Sequence, residues 1–285
     1  MEVFHTYQDF SSYRKKLDRH LKIGFVPTMG ALHEGHLSLV KKAKSENDLA
    51  IASIYVNQRQ FNDPEDFKKY PRDSQRDIHL LEQAGCDVLF LPQTPEEVEK
   101  VDLRSNLSFA LNGLDHVLEG QHRPGHFKAV IEVVLRLFTI TKPSKAYFGL
   151  KDFQQYRIIK YFSQQNSLDV EVVGVPTVRE SDGLALSSRN QRLSPAEHEV
   201  AHGILRTLEK LRVDYHAKKA SVSKLKEDYI KELKALEGVK NVDYLEIADE
   251  DDLQSIEEYK EVGARAFVAL HLGKVRLIDN ISLNP

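Results

Sequence analysis

The chain has 285 residues, 41% of them hydrophobic, which is enough for two modest domains or one large one with a sizeable core. A formal net charge of -3 supplies no general basic field, so nucleic acid is not an expected partner. A single cysteine excludes an intrachain disulfide and a cysteine-based metal cluster, and no apolar run is long enough to be expected to cross a bilayer.

The first residues lack the basic start and apolar run of a signal peptide, so a cytoplasmic location is expected. The spacing then predicts an opening helix over Thr6 to Leu21, a strand over Ile23 to Val26, and an amphipathic helix from His36 to Asn47. Leu49 to Val56 reads as a near-continuous apolar strand buried on both faces, which completes a β-α-β unit. After a polar loop come a helix over Asp73 to Gln83, which Gly85 can stop, and a strand over Val88 to Leu91. Cys86, at the entry to that strand, reads as a small core residue rather than a nucleophile.

Between Pro92 and Gly120 the pattern is weak, with a strand at Leu107 to Ala110 and a turn near Asn112-Gly113. A helix over Val130 to Thr141, a strand over Ala146 to Gly149, a helix ending near Gln165 and a strand over Val170 to Val175 restore the alternation. Strands and helices alternating at this length predict a doubly wound, mostly parallel sheet. From Pro176 the texture changes. Ser194-Pro195-Ala196-Glu197 combines a cap, a proline at the first helical position and a capping-box glutamate, opening a helix to about Leu211. A lysine- and glutamate-rich helix near Val222 to Leu236 and three strands follow, over Val242 to Ile247, Ala266 to Leu270 and Val275 to Ile278. Leu272-Gly273-Lys274 joins the last two strands as a hairpin. The tail reads as a smaller α+β domain, with a boundary near Val175.

The chain is organised around Pro27-Thr28-Met29-Gly30-Ala31-Leu32-His33-Glu34-Gly35-His36-Leu37, a strand-to-helix turn. Ligands of open α/β sheets bind at such turns, where a helix start offers N–H groups and partial positive charge to a phosphate. Gly30 and Gly35 remove side chains where a ligand would touch backbone, and His33 and His36 can donate to phosphate oxygens. The same residues also fit a plain connection whose histidines only cap and solvate the helix. Zinc is not expected, because a single residue separates Glu34 from His36 where the metalloprotease spacing needs two.

Pro-Thr-Met-Gly-Ala-Leu-His-x-Gly-His resembles the signature of the pantothenate synthetase (pantoate–β-alanine ligase) family, within the HIGH-motif adenylyltransferase superfamily. The resemblance runs over nearly the whole chain and is densest from Ile23 to Leu193. It implies a Rossmann-like domain over residues 1–175 that binds nucleotide and pantoate, and a smaller α+β lid over residues 176–285. It implies ATP-dependent condensation of pantoate with β-alanine through a pantoyl adenylate, with Mg²⁺ carried on ATP, no protein ligand to the metal assigned, and a homodimeric assembly. Met29, Gly30, Ala31 and Leu32 in the turn, with His33, Glu34, Gly35 and His36 at the helix start, would contact ATP, and His36 would take the proton-donor role.

Gly149-Leu150-Lys151-Asp152 stands at a second strand-to-helix turn, so Lys151 can aim a cation at the phosphates. Asp152 and Gln155 also sit where a helix cap and its reciprocal partner would. The family resemblance assigns Gly149, Leu150, Lys151 and Asp152 to ATP and Gln155 to pantoate. Leu186-Ser187-Ser188-Arg189-Asn190 reads alone as a surface loop ahead of the Ser194 cap; the resemblance implies that Ser187, Ser188 and Arg189 close over the triphosphate, with Leu186 beside them and Val178 near the adenine. Charge neutralisation would fall to His33, His36, Lys151, Ser188 and Arg189.

Asn57 and Gln60 present neutral amides that can orient a carboxylate without draining its nucleophilicity, and turn chemistry also accounts for both. By resemblance Gln60 binds pantoate and β-alanine, and His126 in Arg-Pro-Gly-His-Phe lies around the site. The chain departs from the family where Gln58 replaces the usual proline, where Arg59 brings a charge close to Gln60, and where a Met-Tyr-Pro is missing near Glu97 to Lys100. Asp77 matches a position that can assist the metal. Another HIGH-motif nucleotidyltransferase and a non-catalytic nucleotide-binding module are the alternatives; a dinucleotide oxidoreductase lacks its Gly-x-Gly-x-x-Gly.

Overall fold

Short apolar runs, too short for helices and bounded by polar turns, form strands β1 (Glu2–Phe4), β2 (Ile23–Thr28), β3 (Leu49–Ile54), β4 (Val88–Phe90), β5 (Lys145–Gly149) and β6 (Glu171–Val175). They pair in parallel in the order β1-β4-β3-β2-β5-β6, with helices connecting successive strands. The computed structural model describes residues 1–103 and 105–285 of the chain. Chain order runs outward from β2 through β3 and β4 on one side and from β5 to β6 on the other, so the direction of winding reverses between β2 and β5. That reversal is where open α/β sheets bind their ligands.

The helix His126–Thr141 packs its apolar side chains with Phe25, Ile51, Phe90 and Phe148 of the sheet. Each large side chain removed from water there contributes about 1.5–3 kcal/mol. On the other face the helix Glu34–Glu46 packs Leu37, Val40 and Ala43 with Val26, Ala50 and Ala52. The opposite packing layers explain why these strands lack alternation: both faces are covered. Cys86 is buried, its thiol donating toward Val88 O at 3.2 Å and held up at about 12 by desolvation, as befits a core residue.

Three features differ from the sequence expectation. β1 is three residues long at the sheet edge, too short to leave a periodic signal. The opening helix spans only Tyr7–Lys16, starting at its Thr6 cap and ending before the polar Asp18-Arg19-His20. Leu107–Ala110 is not a strand; Ser108 N–H donates to Asn166 Oδ1 at 2.7 Å and Phe109 packs on Phe162 at 5.2 Å.

The chain divides into two compact units, Met1–Leu111 with His122–Pro176, and Asn112–Gln121 with Thr177–Pro285. The second holds helices Pro195–His216 and Val222–Lys234 and an antiparallel sheet β7 (Val239–Asp249), β8 (Ala264–Leu272) and β9 (Val275–Ser282), the last two joined at Gly273-Lys274. The capping box is present: Ser194 Oγ accepts from Glu197 N–H, and Ser194 N–H donates to Glu197 Oε2 at 2.8 Å. Asn112–Gln121 joins this unit through Glu119, whose carboxylate receives both Arg276 terminal nitrogens at 2.8 Å and the Tyr244 hydroxyl at 2.8 Å. The sequence pattern, read with one boundary near Val175, gives no sign of this detour, because its anchor is an ion pair rather than an apolar stripe. Among the described residues no helix is long and apolar enough to cross a membrane.

Candidate active site

The turn after β2 is built by contacts from several elements. Thr28 Oγ1 donates to Ser53 O at 2.7 Å and accepts from Gly30 N–H at 3.2 Å. Gly30 and Ala31 both take positive φ, +77° and +51°, so the chain doubles back before the helix begins. Asp77, 1% exposed, reaches in from the helix Ser74–Gln83. Its two carboxylate oxygens accept from Ala31 N–H and Leu32 N–H, each at 2.8 Å. A Cβ on Gly30 would stand 2.9 Å from Asp77 Oδ2, so glycine is required by space as well as by φ.

This corrects one expectation. The N–H groups of Ala31 and Leu32 serve a protein carboxylate, not a phosphate, and both residues are buried. Desolvation pushes Asp77's carboxyl above its ordinary value against the pull of those two N–H groups. Each carboxylate oxygen is engaged by one backbone N–H, so Asp77 positions the turn.

At the helix start His33 occupies the cap position, yet its side chain makes no capping hydrogen bond. The His33 ring lies 4.1 Å from that of His36, centroid to centroid. His36 is half-buried, and its Nδ1 is sealed from solvent with no hydrogen-bond partner among the described residues. Burial, then the neighbouring His33 ring and the Lys151 ammonium, depress its imidazole to about 3. Lys151 comes from the short 3-10 turn Leu150–Asp152 that follows β5, across the reversal point of the sheet. His33, His36 and Lys151 are thus brought together. With its imidazole lowered to about 3, His36 is neutral near pH 7 in the free chain and can donate a hydrogen bond through its ring N–H.

Around Lys151 a second expectation changes. Asp152 stands at the cap of the helix Phe153–Gln165 but makes no capping hydrogen bond, and lies instead 3.6 Å from Lys151 Nζ. Gln155 is half-buried, and Gly149 has open space where a side chain would stand. Met29 and Gly35 are half-buried, while Glu34 is exposed and pairs with Lys41 at 3.3 Å.

The loop after β3, next to β2 in the sheet, winds into a 3-10 turn, Gln58–Gln60. Asn57 is buried and its amide is spent on the scaffold: Oδ1 accepts from Arg59 N–H at 3.2 Å, and Nδ2 donates to Ala129 O at 3.3 Å. Gln60 is 9% exposed. Its backbone carbonyl accepts from His126 Nδ1–H at 2.8 Å and from Arg123 Nη2 at 3.2 Å, so both basic side chains of the Arg-Pro-Gly-His stretch hold the turn. Asn57 and His126 therefore position Gln60. Arg59 leans away from that glutamine toward Glu99 and Glu132, at 3.8 and 3.9 Å.

In the second unit Leu186 N–H donates to Val178 O at 3.0 Å, closing the loop that carries the Ser-Ser-Arg motif. Ser187 Oγ accepts from Arg189 N–H at 3.2 Å; Ser188 and Asn190 are buried, and Asn190 Nδ2 donates to Ala185 O and Glu180 Oε1. The loop is thus held by its own polar contacts, with Ser188 and Asn190 turned inward.

A sequence profile described as pantoate-beta-alanine ligase matches residues 2–282. A pantothenate synthetase of Cytophaga hutchinsonii is 44% identical over 91% of this chain and 90% of its own. The crystal structure of pantothenate synthetase from Thermus thermophilus superposes with a TM-score of 0.90 at 41% identity, covering 100% of both chains. The chain belongs to the pantoate–β-alanine ligase family. A ligase of this family from Francisella tularensis, crystallised with beta-gamma ATP and beta-alanine, is 38% identical with a TM-score of 0.79, over 99% of this chain and 98% of that one. For a pantoate–β-alanine ligase, the residue whose part the sequence reading missed is Asp77 as the holder of the histidine turn. A signal was present: Asp77 lies four residues before the buried Leu81, on the face of its helix that turns inward, where an unpaired carboxylate is rare.

Proposed function

We propose that the chain joins pantoate to β-alanine at the expense of ATP, with a pantoyl adenylate held between the two half-reactions. A carboxylate cannot be attacked by an amine directly, because oxide is too poor a leaving group. In the first step a pantoate carboxylate oxygen attacks the α-phosphorus of ATP, and the bond to pyrophosphate breaks. In the second the β-alanine amine attacks the carbonyl of the mixed anhydride, AMP leaves with the bridging oxygen, and the amine sheds its proton.

The observation that carries this reading is the pair of closely packed, tilted imidazoles beside Lys151 at the reversal point of the sheet. Neutral ring N–H donors and one ammonium suit an α-phosphate whose negative charge grows in the transition state. The arriving phosphates favour protonation of His36, so the ring that is neutral in the free chain gains basicity as its substrate binds. Gln60 and Gln155 would orient pantoate through neutral amides, keeping its carboxylate reactive. Val178, Leu186, Ser187, Ser188 and Arg189 enter through their motif, as contacts to ATP and its leaving pyrophosphate. Mg²⁺ would travel with ATP, held by phosphates and water. A cytoplasmic homodimer belongs to the same proposal.

The test is pyrophosphate exchange into ATP with pantoate, amino acids or a mononucleotide offered in turn, followed by β-alanine-dependent AMP release. Exchange should require pantoate, and His36→Ala should lower single-turnover adenylate formation by on the order of a hundredfold. Exchange driven equally by another acid, or pyrophosphate release unchanged in that variant, would overturn the assignment.

A further inference from the structure

The second unit holds a cluster of ligating side chains for which the ligase reaction has no use. His198 and His202, one helical turn apart on Pro195–His216, face Asp182 of the preceding loop. His202 Nε2 lies 2.8 Å from Asp182 Oδ2 and 3.1 Å from His198 Nδ1, and one ligand atom from each of the three residues falls within 4.8 Å of the others. Tetrahedral zinc, bound at about 2.0–2.1 Å, sets its donor atoms about 3.3 Å apart, so small movements of the present side chains suffice.

The surroundings match a metal centre as well as the donors do. A ligating imidazole ordinarily gives its second ring N–H to a carboxylate. Here His198 Nε2 lies 3.2 Å from Glu180 Oε2, and Glu180 is itself held by Asn190 Nδ2 at 3.0 Å. Asp182 is fixed by Leu184 N–H, which donates to its other oxygen at 3.1 Å. His202 is 8% exposed while Asp182 is exposed, so the group is anchored on one side and open to an incoming ion on the other. Two imidazoles and a carboxylate select a borderline transition ion over Mg²⁺ or Ca²⁺, which prefer oxygen.

We propose that Asp182, His198 and His202 form a binding site for a divalent transition-metal ion of the zinc type, with water in the fourth position and Glu180 orienting His198. The ion would tie the loop that begins at Glu180 and carries Ser187 to Arg189 onto the helix Pro195–His216. The step is ligand exchange: the proton between the two rings moves to His202 Nδ1, which faces Glu199 at 3.8 Å, and the ion sheds water as the two freed ring nitrogens and Asp182 take its place.

Metal-free chain would be titrated with Zn²⁺ by calorimetry and with Co²⁺ by visible absorption, beside Asp182→Ala/His198→Ala and Glu180→Gln. Both positions in the double variant are solvent-accessible, so its folding is checkable by circular dichroism and thermal melting without metal. The expected result is a single ion per chain, intense tetrahedral Co²⁺ bands, a melting point raised by Zn²⁺, loss of all three in the double variant, and affinity about 10–100-fold weaker in Glu180→Gln. No stoichiometric uptake by the unmodified chain would overturn the proposal and leave a hydrogen-bonded histidine pair. Uptake equally strong in the folded double variant would overturn it by placing the ion elsewhere.

Discussion

Two turns at the carboxyl ends of neighbouring strands, one after β2 and one after β3, are held in place by opposite means. After β2, a buried carboxylate from a distant helix takes the backbone N–H groups of Ala31 and Leu32, so the histidine side chains are not needed to hold the turn. After β3, side-chain donors take a backbone carbonyl: His126 and Arg123 hold Gln60 O, and Asn57 ties the turn to Ala129. The side chain of Gln60 is thereby left for other work.

The sharpest way to break this contrast is Asp77→Ala. Its carboxylate is desolvated, so the loss comes chiefly from two buried N–H groups left unpaired, about 3 kcal/mol in all. Denaturant unfolding should show that loss, and turnover should fall because His33 and His36 follow the loosened turn. Full activity in a folded Asp77→Ala chain would show that the histidines need no such clamp. Gly30→Ala attacks the same point from the backbone side, through its φ of +77° and the 2.9 Å approach to Asp77.

Acid probes the same turn through His36. His36 falls from 6.5 to about 3 on folding, so between those values the unfolded chain binds more protons than the folded one. Stability from this group is complete above pH 6.5 and is lost as pH falls toward 3. Asp77, raised above 3.8, works with the opposite sign: its contribution is present below 3.8 and is lost as pH rises through the raised value. His36→Gln should flatten the dependence of unfolding free energy on pH between 6.5 and 3. An unchanged slope would mean that the ring is solvated and that Lys151 does not act on it.

How much of this is legible in the sequence follows from where each signal lives. Strands β2 to β6 of the parallel sheet and the three loops after β2, β3 and β5 are readable because apolar runs and glycines record burial and turns locally, whereas three-residue β1 is not. Alternation of strand and helix predicts a doubly wound sheet, and the pairing of β2 with β5 in that sheet brings His33, His36 and Lys151 together. What the sequence does not record is long-range polar pairing. Asp77 to Ala31 spans 46 residues and Glu119 to Arg276 spans 157, and neither has a periodicity that reports its partner. The capping role of Asp152 fails in the other direction: it stands at the right place for a cap, yet lies against Lys151 instead, while the Ser194 capping box forms as its motif predicts.

A smaller effect sharpens the β3 half of the contrast. His126→Ala removes one of two donors to Gln60 O while Arg123 keeps the other, so the stability cost should be about 1 kcal/mol. If His126 positions rather than touches pantoate, KM for pantoate rises, KM for ATP does not, and His126→Asn, which retains a donor, recovers part of the loss. Equal damage to both KM values would place the histidine in the ATP site.

The smallest effect is expected at Gln58, where the family resemblance leads one to look for proline. Gln58 opens the 3-10 turn whose first turn-closing bonds come from Gln60 N–H to Asn57 O and Phe61 N–H to Gln58 O. Neither bond uses the Gln58 N–H, so a proline there forfeits no turn hydrogen bond and stiffens the unfolded chain. Gln58→Pro should therefore stabilise the chain by about 0.4–1 kcal/mol, read as a melting point raised by roughly 1–3 °C. Because Gln60 is already held by His126 and Arg123, KM for pantoate should change little. A destabilised Gln58→Pro chain would mean that the turn after β3 depends on a backbone angle proline cannot take, and that its side-chain donors hold a shape peculiar to this sequence.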